Sequence, residues 1–178
     1  MTRALVVVAL VAGSAHAEPL PAGSIEGVLG ATSGAGADAK KLGYGYVVGL
    51  EASWQPMSTE KPYGFALRWS TLFGGLYAGT AEDVNPPLRT VQMDLTAGVR
   101  FRPWTTRRRY LTARAGAGIL RTNDPVDGTD RTFVGPAAAV GLDQYFGTFV
   151  VGVDVRYALV AYGPEQLAVV LRVGVAGP

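Results

Sequence analysis

Ten charged residues are placed where they could do chemistry together: Glu26, Glu51, Asp94, Asp143 and Asp154 as carboxylates, Arg68, Arg100, Arg114, Arg156 and Arg172 as guanidiniums. Paired carboxylates can serve as general acid and base, a mixed set can line an ion path, and balanced opposite charges can also neutralise one another in a confined space. Each of the ten sits in an alternating run. In FVVGVDVRYALV, residues 149–160, Phe149, Val151, Val153, Val155, Tyr157 and Leu159 alternate with Val150, Gly152, Asp154, Arg156 and Ala158. That period is a β-strand with two unlike faces, so the chemistry depends on which face is enclosed.

Other chemistry is sharply limited. The chain has no cysteine and one histidine, His16, which excludes a disulfide framework, a thiolate nucleophile and a Cys/His metal cluster. His16 falls inside a predicted signal peptide, so a Ser-His-Asp triad is excluded from the mature chain too. No catalytic, cofactor-binding or metal-binding residue is assigned, and no cofactor is expected. NDPVDGTD, residues 123–130, spaces Asp124, Asp127 and Asp130 three apart. Calcium would accept their oxygens, but the D-x-D-x-D-G alternation of a calcium loop is missing, and Asp-Pro and Asp-Gly favour turns. Arg107, Arg108 and Arg109, with Trp104 nearby, read as a solvated turn in preference to a headgroup site, and no basic stripe suggests nucleic acid. Gly34 and Gly36 lack the G-x-x-x-x-G-K-[ST] spacing of a phosphate loop.

The elements that must position the ten charges are strands. The 178 residues suit one domain, and 24 glycines with 17% charged residues favour sheet. MTRALVVVALVAGSAHA, residues 1–17, has Arg3, an apolar run and a small-x-small site at Ala15-His16-Ala17. This pattern predicts a cleaved secretory signal, and losing Arg3 lowers the formal charge from +2 to +1. The mature residues 18–178 hold eight alternating runs at 24–32, 44–56, 63–76, 88–103, 109–122, 132–145, 149–160 and 166–176. Most are long for a soluble sheet and near the 9–11 tilted residues that cross a bilayer. Connections after the second, fourth and sixth runs are tight, while those after the first, third and fifth are longer and polar. Transmembrane barrels alternate in the same way.

Three residue choices orient the faces. All three lysines, Lys40, Lys41 and Lys61, fall in connections, and the strand cations are arginines separated by glycines such as Gly49, Gly98, Gly118, Gly141 and Gly152. Arginine forks pair with carboxylates in tight space, so these positions predict a packed, salt-bridged interior. Aromatics sort by height: Tyr44, Tyr46, Phe73, Phe133 and Tyr157 towards the long loops, Trp54, Tyr63, Phe65, Phe101 and Phe149 towards the short turns. Two bands of this kind predict girdles at two lipid interfaces. The signal peptide is the third indication, since it exports the chain to where such barrels live.

YGYVVGLEASWQP, DLTAGVRFRPW, ARAGAGI and GVDVRYAL carry a resemblance to the small eight-stranded outer-membrane β-barrels of the OmpA transmembrane-domain and OmpX type. The resemblance covers nearly the whole mature chain and implies an all-β, antiparallel up-and-down transmembrane barrel in the outer membrane of a Gram-negative-type bacterium. No peptidoglycan-binding domain is expected after the eighth strand, and the chain ends VGVAGP without the terminal aromatic such barrels commonly carry. Pro136, within the sixth run, calls for a bulge, because a closed barrel has no edge.

The expected function is a non-enzymatic barrel with a largely closed lumen, in a structural or loop-mediated binding role. The rival readings are a narrow channel or a carrier of a small hydrophobic solute, a soluble periplasmic lipocalin-like barrel, and a lipid-modifying enzyme, which the missing histidine disfavours. Expected partners are outer-membrane lipid and an external protein or surface ligand met by loops 33–43, 77–87 and 123–131, with the chain a monomer.

Overall fold

The computed structural model describes residues 22–35, 42–56, 62–78, 87–103, 108–124, 126, 128–158 and 165–177. The predicted signal peptide, the three lysines, Gly36, Trp104, Arg107, Asp127 and Leu159 lie outside the described residues, as do the central parts of loops 33–43 and 77–87.

Eight strands form: β1 (Gly23–Gly34), β2 (Leu42–Trp54), β3 (Tyr63–Ala78), β4 (Leu88–Phe101), β5 (Arg109–Asn123), β6 (Asp130–Phe146), β7 (Phe149–Ala158) and β8 (Gln166–Gly177). Each pairs antiparallel with the next, and β8 returns to β1, so the sheet is a closed barrel. Closure gives every strand two neighbours and leaves no edge along the paired lengths.

The ladder fixes the bore. From Glu26, successive partners Glu51, Ser70, Asp94 and Gly118 lead to Gly135 on β6. In the other direction, Gly174 and Val150 lead to Tyr145 on the same strand. The two paths end ten residues apart, at 135 and 145, and this is the stagger of the barrel. Eight strands at that stagger tilt by about 40° and set the backbone roughly 8 Å from the axis. Such a bore admits side chains and little else.

Alternation decides what fills it. Along β7, Val150, Gly152, Asp154, Arg156 and Ala158 are buried while Phe149, Val153, Val155 and Tyr157 are exposed. The apolar face points outward around the ring, through Leu50, Trp69, Leu95, Val140, Val169 and Leu171 among others. A soluble lipocalin-like barrel needs the opposite arrangement, so that reading is corrected by the orientation of the charged face.

Pro136 shows no bulge against β5. It pairs in register with Ala117 of β5, and the described β6–β7 ladder begins only at Ala137, opposite Ala158. The proline stands just above the last described β6–β7 pair, where its missing N–H interrupts no described bond. The β6–β7 turn is two residues, Gly147 and Thr148, with Gly147 at φ 60°, a left-handed value that a hairpin of this length asks of its first residue. In the β5–β6 loop, Asp124 works as a turn residue: its carboxylate accepts the Val126 N–H at 2.9 Å, and its own N–H donates to the Thr129 carbonyl at 3.0 Å. Asp130 accepts from Arg121 at 2.6 Å and Asn123 at 2.8 Å.

Gly141 and Gly152 face inward where the bore is tightest. A Cβ on Gly141 would lie 1.8 Å from Asp154 Oδ1, and one on Gly152 would lie 2.5 Å from an Arg172 nitrogen. The missing side chains are the space that the charges occupy. Gly141→Ala should therefore destabilise the folded barrel by about 1–3 kcal/mol, read as an earlier midpoint in urea unfolding of the detergent-refolded protein; an unchanged midpoint would contradict the packing.

Candidate functional site

The inward face is layered, and the middle layer is ionic. Glu26, Glu51, Asp143 and Asp154 meet Arg68, Arg114, Arg156 and Arg172, drawn from β1, β2, β3, β5, β6, β7 and β8. Two residues act as hubs. Asp154 takes contacts from all four arginines: Arg114 at 2.8 Å, Arg172 at 2.9 Å, Arg156 at 3.0 Å and Arg68 at 3.5 Å. Arg172 reaches all four carboxylates, donating to Glu26 and Asp143 as well as Asp154 and lying 3.8 Å from Glu51. Arg68 closes the ring, 2.7 Å from Glu51 and 3.3 Å from Asp143, and Arg156 also donates to Glu51.

Charges balance within this layer, and its side chains are at most 8% exposed. Burial without water makes each ion expensive unless its partner is present, so the layer is stable only as a complete set. Each of the four carboxylates faces at least one guanidinium. The arrangement is a plug.

Below it, towards the short turns, stands a cation–aromatic layer. Arg100 lies over the rings of Tyr110, at 3.7 Å, and Tyr145, at 4.8 Å, and donates to the Gln55 carbonyl at 3.1 Å. The two tyrosines meet edge to face, centroids 5.5 Å apart, beside Val150 and Ala176. Desolvated stacking of this kind contributes on the order of 2 kcal/mol. Above the ionic layer, towards the long loops, Val28, Val47, Leu72, Ala168 and Val170 pack together, and Leu120 and Ala158 pack with Phe133.

All ten charged residues named from the sequence are buried, but they do not form one network. Eight make the plug, Arg100 belongs to the tyrosine layer, and Asp94 stands apart, bonded to Gln92 at 2.7 Å and Ser70 at 3.5 Å. Tyr110, Tyr145 and Gln55 were not anticipated; their parity shows them, since Tyr110 lies four residues before Arg114 and Tyr145 two after Asp143.

Of the aromatic set, Tyr44, Tyr46, Trp54, Tyr63, Phe65, Phe73, Phe101, Phe149 and Tyr157 are outward and exposed. Phe133 is the exception and is corrected: it turns inward onto Leu120 and Ala158. Trp69, Tyr77 and Phe146 join the outer surface. On β3, Tyr63 and Phe73 are ten residues apart, roughly 25 Å of height at this tilt, which is the apolar span of an outer-membrane barrel.

No protein-family model matches the chain, and no curated protein matches it significantly. Solved structures do match. The attachment invasion locus protein Ail of Yersinia pestis superposes with a TM-score of 0.58 at 17% identity, covering 87% of this chain and 97% of Ail. Ail in complex with the heparin analogue sucrose octasulfate gives 0.59 at 18%, with the same coverage. Neisserial surface protein A gives 0.55 at 14%, covering 87% of this chain and 96% of its own. The chain has the fold of the small eight-stranded outer-membrane barrels.

Arg172 is the only described arginine on Glu26. Arg172→Ala should thus leave uncompensated buried carboxylates and cost about 3–5 kcal/mol, whereas pairing Arg172→Met with Glu26→Leu should recover part of the loss. Arg156→Ala should cost less, because Arg68 still serves Glu51 and Asp154. Urea midpoints in one detergent rank the variants; an Arg156→Ala loss equal to that of Arg172→Ala would contradict the hub assignment.

Proposed function

We propose that the chain, cut after Ala17, is a monomeric, non-enzymatic integral outer-membrane barrel whose lumen is closed and whose loop side carries its specific contact. The observation that carries this reading is the inversion of polarity: an apolar, aromatic-rimmed belt outside and a neutralised, three-layered plug inside. A bilayer core is the solvent that stabilises such an outside, since lipid tolerates only structures whose backbone is paired internally.

The proposed specific contact is an external protein or surface ligand met by loops 33–43, 77–87 and 123–131; the likeness to Ail, solved in complex with the heparin analogue sucrose octasulfate, supports a ligand-binding role.

The rival role is a narrow channel or carrier, which requires the tyrosine, ionic and apolar layers all to move.

Refolded protein should migrate faster unboiled than boiled, as folded barrels do, and should give no discrete conductance steps in planar bilayers. Reproducible steps at neutral pH would replace the scaffold reading with the channel. Val153→Asp, outward and near mid-strand, should lose folding into vesicles by about 2–4 kcal/mol or less, depending on depth, and wild-type yield would overturn the lipid-facing assignment.

A further inference from the structure

The apolar outer face carries a charge on its short-turn rim. Arg109 opens β5, and because Tyr110 is buried while Leu111 is exposed, the alternation turns Arg109 outward. It stands two positions beyond Leu111, the partner of Phe101, and directly opposite Gln144, which lies two positions before Phe146. Phe101 and Phe146 are both exposed, so the arginine interrupts the lower aromatic girdle.

Gln144 fixes this cation in place. Arg109 Nε donates to Gln144 Oε1 at 2.5 Å, and Gln144 Nε2 is itself anchored on the carbonyls of Arg108, at 3.4 Å, and Tyr145, at 3.1 Å. Nη1 and Nη2 of Arg109 are left over, and no carboxylate takes them among the described residues. The opposite rim differs, since the exposed Arg121 meets Asp130 there at 2.6 Å. The sequence offers little counter-charge near Arg109: connections 55–62 and 102–108, together with Arg109 itself, hold Lys61 and four arginines against one acid, Glu60.

We infer that Arg109, held by Gln144, is a docking point for the phosphodiester of an anionic phospholipid in the leaflet on the short-turn side, an inference that rests on the lipid-facing reading above. A guanidinium presents parallel N–H donors that phosphate oxygens accept in pairs. With Nε on Gln144, the two terminal nitrogens remain for that bond. The outer face supplies the place for the rest of the lipid. Towards the bilayer centre, β5 continues through Leu111, Ala113, Ala115 and Ala117, and Ala113 is flanked by its partners Val99 and Val140. Leu111, Val99 and Val140 are exposed, and the small alanines leave a shallow furrow in which an acyl chain attached to that phosphate lies. A free phosphate uses the arginine alone, whereas a phospholipid uses the arginine and the furrow. A zwitterionic headgroup brings its own cation and so gains less from Arg109.

The test is native mass spectrometry of the detergent-refolded mature protein, titrated with dioleoylphosphatidylglycerol and dioleoylphosphatidylcholine in competition. Expected is a first bound lipid that is preferentially phosphatidylglycerol, with the preference falling roughly fivefold in Arg109→Gln. Gln144→Leu keeps the charge and removes its hold, and should lose part of the preference. Arg121→Gln removes an equal charge at the other rim and should change nothing. An unchanged preference in Arg109→Gln, or an equal fall in Arg121→Gln, would overturn the site; where Arg109→Gln does not fold, full preference in Gln144→Leu overturns it instead. Inorganic phosphate should not displace the lipid, and displacement at matched concentration would show a free-anion site and overturn the lipid assignment. Faster migration unboiled than boiled identifies the folded barrel in each case. A wild-type chain without that shift would overturn the membrane reading and the site with it, whereas a shifted wild type without lipid preference overturns the site alone.

Discussion

The rest of the structure depends on a stagger. Ten residues of offset around eight strands fix both the tilt and the bore, and the bore is narrow enough to bring side chains from opposite walls into contact. Everything placed inside must find its partner there. This is why the inner positions alternate between glycine and long charged chains: Gly141 gives Asp154 its room, Gly152 gives room to Arg172, and neither charge could be seated over a Cβ. Packing and electrostatics are one constraint at this radius.

From that constraint the order of layers follows. Where strands converge on the mid-height of the barrel, the charges of β7 and β8 meet those of β1, β2, β3, β5 and β6, and two hubs, Asp154 and Arg172, bind the set. Towards the turns the charge runs down to Arg100, which two tyrosine rings accept through their faces. Towards the loops Val47, Leu72 and Val170 pack above the ionic layer, with Thr32, Thr90, Thr122 and Gln166 also buried there. Apolar packing on one side and an aromatic floor on the other lower the dielectric around the ion pairs, which strengthens their attraction.

Strand identity, order and face were legible because period-2 alternation is a local signal, readable within each run. β1 to β8 each begin and end within two residues of the runs read from the sequence. What alternation cannot specify is which partner lies across the lumen. Glu51 and Arg156 are 105 residues apart and meet only through the stagger, which depends on all eight strands at once. Asp94 and Arg100 look like the other eight along the chain and differ only in the height at which the ring places them. Phe133 shows a second gap: with Val134 beside it the local pattern is ambiguous, and its face follows from counting back ten residues from Asp143 along the same strand. Pro136 was expected at a bulge because a closed barrel has no edge, yet it pairs in register with Ala117 of β5.

The ionic layer has a role beyond filling space. A buried salt-bridge set is weak as a source of stability, since apolar residues of equal volume often do as well, and an apolar interior would make the two faces of every strand alike. With both faces apolar, each strand could slip by one residue and turn its other face to the lumen at little cost. The charges remove that freedom. A one-residue slip of β7 would turn Asp154 and Arg156 outward; in the proposed lipid setting each charge at the bilayer centre would cost about 2–4 kcal/mol for arginine and less for aspartate, with the loss of their partners added. Arg172 on β8, Arg68 on β3 and Glu51 on β2 impose the same penalty on their own strands. The ionic layer therefore selects one register for the whole barrel.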